Sequence, residues 1–173
     1  MTQSVELVLD AEADRALRAE WRALAQAGLP SAERTVPSPS HRPHVTLLAQ
    51  DTLPDGAEAG FAEAVAGLDL SVSLGAVMLF GPRRGSYVLV RAVMVSAALL
   101  ELQRRVAEVG EANPEGQFGP GRWTPHVTLA RRVRTDQVGP SLAVLGTADG
   151  VEAHITECRR WDSEAKRAWT LGR

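Results

Sequence analysis

The pentapeptide Pro-His-Val-Thr-Leu occurs twice in this chain, at residues 43–47 and again at residues 125–129. In an extended strand, successive side chains point to opposite faces. The histidine and threonine of each copy therefore share one face, and the valine and leucine share the other. Each copy offers an imidazole and a hydroxyl on one side and anchors itself by apolar burial on the other. The offset of 82 residues also carries Val8 onto Val90, Leu17 onto Leu99, Leu24 onto Val106, Gly28 onto Gly110, Tyr87 onto Trp169 and Leu89 onto Leu171. This period is longer than the roughly 20–50 residues of a solenoid unit. It describes a single bilobal domain over residues 1–173, built from duplicated halves at 5–86 and 87–173 with a pseudo-twofold axis between them.

The flanking sequence predicts alternating strands and helices. Val5–Leu9 reads as a strand, and Asp10 is placed to cap a helix whose apolar face is Ala13, Leu17, Trp21 and Leu24, ending at Gly28. A loop over 31–42, with Pro37 and Pro39, leads to the first motif strand at 43–49. A short helix over 57–68 follows, weakened by Gly60 and Gly67. A hairpin then joins a strand at 70–80 to one at 87–93 through the Gly/Pro-rich turn at 81–86. Ser96 is placed to cap a second long helix with Leu99, Leu102, Val106 and Val109 on its buried face, ending at Gly110. A glycine- and proline-rich loop at 111–122 precedes the second motif strand. A helix at 135–145, a strand at 151–161 and a strand at 167–171 complete the chain. The sum is α+β, with antiparallel sheets, outer helices and a central cleft.

Composition limits what such a cleft can hold. Hydrophobic residues make up 45% and charged residues 23%, the balance of a globular domain, and the formal net charge of −2 does not suit a surface that coats a long polyanion. The lone Cys158 forms no internal disulfide, which fits a reducing compartment, and no apolar run reaches the length of a membrane span. The chain reads as a cytoplasmic monomer that makes no use of a membrane.

Two imidazoles can share acid and base duties, because histidine alone titrates unperturbed near neutral pH. At a phosphodiester, one takes a proton from the attacking hydroxyl or water and the other protonates the departing oxygen. The threonine hydroxyls can donate to the non-bridging oxygens as charge builds there. The candidate catalytic set is His44, Thr46, His126 and Thr128, and it calls for no metal and no cofactor. His41 near His44 lacks a carboxylate or cysteine to complete a metal set. Candidate substrate contacts are Arg42 before the first motif and Arg131 and Arg132 after the second. Strand alternation from His126 puts Ala130 and Arg132 on the motif face, with Arg131 pointing away unless the strand bulges. Trp123 and Tyr87 are the aromatic side chains best placed to stack a base. His154 and Cys158 read as structural residues, and Arg83 and Arg84 as solvated hairpin residues.

With both His-x-Thr-apolar signatures unbroken, and the second reading His126-Val127-Thr128-Leu129-Ala130-Arg131, the chain resembles the two-histidine phosphoesterase superfamily. Within it the chain is most similar to the family called 2′-5′ RNA ligase or RNA 2′,3′-cyclic phosphodiesterase. The resemblance implies a bilobal α+β fold, catalysis by His44, Thr46, His126 and Thr128, and metal-independent opening of 2′,3′-cyclic phosphates or cleavage and joining of 2′-5′ linkages. The partners it implies are RNA ends, short oligonucleotides or cyclic nucleotides. Alternatives are a small-molecule cyclic phosphodiesterase, for example on ADP-ribose cyclic phosphate, and a nucleotide- or RNA-end-binding module without turnover. The first strand departs from the RNA branch, which opens with arginine and an aromatic residue where this chain has Val5-Glu6-Leu7-Val8-Leu9.

Overall fold

A computed structural model describes residues 2–33, 40–146 and 150–172, so the expected loop prolines Pro37 and Pro39 lie outside the described residues. Asp10 starts the first helix as expected: its carboxylate accepts from the backbone N–H of Glu12 and Ala13, both at 2.9 Å, two donors that the first helical turn leaves unpaired. Ser96 does the same for the second long helix through the N–H of Leu99. The elements follow in the order β1 (Gln3–Val8), α1 (Ala11–Gln26), β2 (His44–Gln50), α2 (Ala57–Ala64), β3 (Leu70–Arg83) and β4 (Ser86–Val93). Then come α3 (Ala97–Val109), β5 (His126–Arg134), α4 (Thr135–Leu145), β6 (Val151–Ile155), β7 (Glu157–Asp162) and β8 (Arg167–Leu171).

These strands form two antiparallel four-stranded sheets. Sheet A has the order β2-β1-β7-β8 and sheet B the order β5-β4-β3-β6. In both, a motif strand lies at the edge, and the two motif strands, β2 and β5, lie against each other. The third strand of each sheet comes from the other half of the chain. The helices cross as well. α1, which follows β1 of sheet A, packs with α4 on sheet B, while α3, which follows β4 of sheet B, packs with α2 on sheet A. Gly60 in α2 is required by this packing: a Cβ there would meet Cγ1 of Val109 in α3 at 2.8 Å.

Three boundaries differ from the sequence reading, the first being that the helix expected over 57–68 ends at Ala64. The strand expected over 151–161 breaks at Thr156, because β6 pairs with β3 in sheet B and β7 with β1 in sheet A, and one straight strand cannot serve both. No glycine or proline marks the break. The strand expected to stop at Phe80 runs on to Arg83, so that only Arg84 and Gly85, both at positive φ, make the turn.

A buried ion pair joins α1 to sheet B. Arg91 on β4 donates from Nε to both carboxylate oxygens of Glu20, at 3.0 and 3.2 Å, and from Nη1 to the Gly75 carbonyl at 3.0 Å. The side chains are only 3% and 14% exposed. Removing one partner of such a pair strands the other charge in a medium that solvates it poorly. Glu20→Ala is therefore expected to lower unfolding stability by about 3 kcal/mol, read from urea denaturation. A loss within experimental error would mean that Gly75 and solvent suffice for Arg91.

Candidate active site

An edge strand leaves a row of carbonyls without sheet partners, and these have to be satisfied if the strand is to hold its register. On β5 the indole Nε1 of Trp21, from α1, donates to the Thr128 carbonyl at 3.0 Å, and the backbone N–H of Ala32 donates to that of Leu129 at 2.7 Å. On β2 the indole Nε1 of Trp123 donates to the Thr46 carbonyl at 3.0 Å, and Gln103 Nε2, from α3, to that of Leu47 at 3.4 Å. The threonine and leucine carbonyls of both motifs are thus held in matching fashion. Val45, Leu47, Val127 and Leu129 are at most 1% exposed. Each such side chain contributes roughly 1.5–3 kcal/mol by leaving water.

Directly after the threonine, each motif strand shifts register by one residue against its neighbour: Glu6 faces Thr46 but Val5 faces Leu48, and Val90 faces Thr128 but Leu89 faces Ala130. A shift of one residue flips every later side chain to the other face. Ala130 is therefore buried with Leu129, and the motif face passes to Arg131. The alternation that placed Ala130 and Arg132 beside the motif stops at this bulge. Arg132 itself sits at a φ of +58°, in a second shift before Val133 pairs with Tyr87.

The histidines are oriented alike. Nδ1 of His44 lies 2.7 Å from the Arg42 carbonyl, and Nδ1 of His126 lies 2.8 Å from the Thr124 carbonyl. A carbonyl only accepts, so each Nδ1 carries the proton, and a neutral ring keeps its lone pair on Nε2. Thr46 and Thr128 are half-buried beside them. The surroundings then diverge. The ring of His126 meets that of Phe80 edge to face, with centroids 4.8 Å apart. Burial, opposed by the Thr124 carbonyl and reinforced by the positive charges of Arg131 and His44, lowers its pKa below the usual imidazole range.

Beside His44 stands a carboxylate instead. Glu6 Oε1 lies 3.6 Å from His44 Nε2, and the Glu6 side chain is 6% exposed. Ser4 Oγ donates to Oε1 at 2.7 Å, and Arg159 Nε donates to Oε2 at 2.9 Å. Ser4, Glu6 and Arg159 are all buried polar residues. Strand register makes Val90, Met78, Val88 and Phe80 the corresponding row on sheet B, so one floor of the groove is polar and the other apolar. Sequence reasoning did not single out Glu6. Its signal was a lone acidic residue in an otherwise apolar first strand.

The structure brings His44, Thr46, His126, Thr128 and Arg131 together at the groove. The other expected contacts are engaged elsewhere. Trp123 donates its indole N–H to the Thr46 carbonyl and packs against the core, which ties it to the first motif. Tyr87 shares the helix-covered face with Leu89 and Arg91, opposite Val133, because strand alternation from Val90 turns it from the groove. Arg42 donates from Nε to Asp14 at 3.2 Å and from Nη2 to the Leu9 carbonyl at 3.3 Å, bracing the start of α1. His41 stacks on Trp21 with centroids 5.1 Å apart and lies 2.6 Å from the Ala32 carbonyl. His154 faces Asp69 on exposed β6. Cys158 is buried, and burial first, then the charges of Glu6 and Glu157, push its thiol up to about 12, which leaves it unreactive. Arg83 and Arg84 are exposed.

Among the described residues, no three His, Cys, Asp or Glu side chains converge as a metal site, and no helix is long and apolar enough to cross a membrane. A cavity of about 310 Å³ lies between α2 and the ends of β7 and β8, and neither histidine lines it.

A family model described as the 2′-5′ RNA ligase superfamily matches residues 13–167. Among solved structures, Escherichia coli LigT in its apo form is similar with a TM-score of 0.59 at 19% identity, covering 98% of this chain and 94% of that one. TT0787 of Thermus thermophilus gives a TM-score of 0.58 at 18% identity, over 99% of this chain and 98% of its own. Kluyveromyces marxianus Usb1 gives 0.56 at 12% identity, over 98% and 97%. At these identities the likeness is one of fold. No curated protein matches the chain in sequence. With the family model spanning most of the chain and both motifs assembled at one groove, the chain belongs to the 2′-5′ RNA ligase superfamily, a superfamily of two-histidine phosphoesterases and RNA-ligase-like proteins.

Proposed function

We propose that this protein is a metal-independent phosphodiesterase that opens 2′,3′-cyclic phosphates, or cleaves 2′-5′ linkages, at RNA ends, short oligonucleotides or small nucleotides. The observation that carries this reading is the matched pair of imidazoles, each with Nδ1 on a backbone carbonyl and Nε2 left for proton transfer. Solved complexes of related folds agree with a nucleotide substrate: E. coli LigT is seen with ATP, 3′-AMP and NADP+, and K. marxianus Usb1 with uridine monophosphate. The net charge of −2 favours short substrates over long polyanions.

In the ring-opening reaction, a water oxygen attacks phosphorus while Nε2 of one histidine takes its proton. The phosphorus–oxygen bond to the ribose breaks, and the other histidine gives its Nε2 proton to the departing oxygen. The product is a phosphate monoester beside a free hydroxyl, and solvent resets the two rings. The base has to be neutral before each turnover. His126, whose positive form is disfavoured by burial and by nearby cations, suits that role, which leaves His44 as the acid. Thr46, Thr128 and Arg131 supply donors and charge for the non-bridging oxygens.

Hydrolysis of a panel of 2′,3′-cyclic mononucleotides, a cyclic-phosphate-ended RNA and a 2′-5′ dinucleotide in EDTA tests the reading. Both His44→Ala and His126→Ala are expected to lose roughly 100-fold or more in kcat, with wild-type activity unaffected by chelator. Wild-type rates in the variants would leave the groove a binding site without turnover. The pH profile gives a second check. Because the His126 pKa is lowered, the base is neutral to lower pH than free imidazole, so the acid limb of kcat/KM should lie below the ordinary imidazole range. An acid limb above that range would remove His126 from the base role.

A further inference from the structure

The two halves place their histidines alike but surround them differently, and the difference is concentrated at one pair of positions. Glu6 sits on β1 opposite Thr46 of the first motif, and Val90 on β4, opposite Thr128, is its counterpart beside the second. The carboxylate of Glu6 is buried, yet it is fixed on two sides, by Ser4 Oγ at 2.7 Å on Oε1 and by Arg159 Nε and Nη2 at 2.9 Å on Oε2, and it faces His44 Nε2 at 3.6 Å. At 3.6 Å, His44 is too far for a hydrogen bond, so its N–H is not committed to Glu6 and stays free to point at a substrate oxygen. The carboxylate acts on the ring through its charge.

Burial of an acidic group this close to a proton-transfer nitrogen has a cost that a neutral residue would avoid. Arg159 and Ser4 offset much of that cost, and the remaining charge faces His44. Of the other charged groups around the ring, Arg42 is held by Asp14 of α1 and Arg159 stands behind Glu6 on β7. Glu157 of β7, in the row of Val8, is engaged by Thr170. On β5, His126 feels the charges of both Arg131 and His44. In this set the carboxylate that stands within 4 Å of Nε2 is that of Glu6.

We propose that Glu6 is a positioning residue that divides the work between the histidines: its buried carboxylate, fixed by Ser4 and Arg159, faces Nε2 of His44 at 3.6 Å, so that His44 is the ring that delivers a proton to the departing ribose oxygen while His126 draws its proton from water. The proposal rests on the two-histidine reading above. Glu6 touches no reacting atom. It acts through His44, and Arg159 and Ser4 act through Glu6.

A leaving group that needs no proton separates this role from a structural one. The test compares the 2′,3′-cyclic nucleotide that wild type opens fastest with its two bridging-sulfur analogues, whose thiolates depart without protonation. Glu6→Gln removes the charge and keeps the shape. If the bare Arg159 prevents that variant from folding, Glu6→Gln with Arg159→Met removes both charges together. For the oxygen substrate, kcat should fall about tenfold or more with KM changed less than about threefold. The sulfur substrate that is cleaved at sulfur should lose much less. His126→Ala should slow oxygen and sulfur substrates alike. Equal losses on oxygen and sulfur in the Glu6 variants, or wild-type rates on both, overturn the proposal while leaving the paired-histidine reading intact. Absence of wild-type turnover on every cyclic phosphate and on the 2′-5′ dinucleotide overturns both.

Discussion

Both His-x-Thr motifs lie on edge strands, where half of the backbone polar groups have no sheet partner, and everything at the groove depends on how those groups are satisfied. The donors come from outside the sheets. An indole from α1 holds the carbonyl of Thr128, and an indole from the segment before β5 holds that of Thr46. A typical net hydrogen bond contributes only about 1 kcal/mol, but a carbonyl left buried and unpaired costs more than that. The arrangement also allows the chain to bulge immediately past each threonine without losing register farther back. Because of the bulge, the strand can bury two consecutive apolar residues and still turn its histidine and threonine together into the groove.

Much of this was legible in the sequence, for reasons that are local. The helix caps at Asp10 and Ser96, the apolar stripe Ala13-Leu17-Trp21-Leu24 and the strand phase of His44 and His126 all follow from chemistry within a few residues. What escaped depends on partners far along the chain. The break at Thr156 exists because two sheets claim adjacent segments, and no residue there resists a straight strand. Trp123 donates its indole N–H to a carbonyl 77 residues away, a partner that its distance from the motif does not reveal. Arg42 is likewise claimed by Asp14, a pairing that appears only once α1 is folded back. Arg131 and Arg132 exchange places because one inserted residue reverses alternation, and a bulge is invisible to a rule of period two.

The two motifs are alike in sequence and in backbone setting, yet the rings they carry sit in different surroundings. The difference is made by neighbours and not by the motifs. Along sheet B the row beside His126 is Phe80, Met78, Val88 and Val90, while along sheet A the row beside His44 contains Ser4, Glu6 and Arg159. A charge on His126 is surrounded by ring edges and cations, and a charge on His44 by a carboxylate. The same backbone thus presents two imidazoles in two dielectric settings, each backed by the strand next to it.

The crossings described for the fold bear on how this molecule can move. α1 leaves sheet A to cover sheet B, α3 does the reverse, and the chain passes from β6 to β7 between sheets with only Thr156 intervening. Neither sheet is completed by contiguous sequence, and the buried side chains of both form one apolar cluster. There is consequently no seam along which the lobes could part as rigid bodies about a single hinge. Admission of substrate has to come from side chains and loops at the rim, and loss of structure has to be shared by both lobes at once, so the distance across the groove is set by the same cooperative unit that keeps the chain folded.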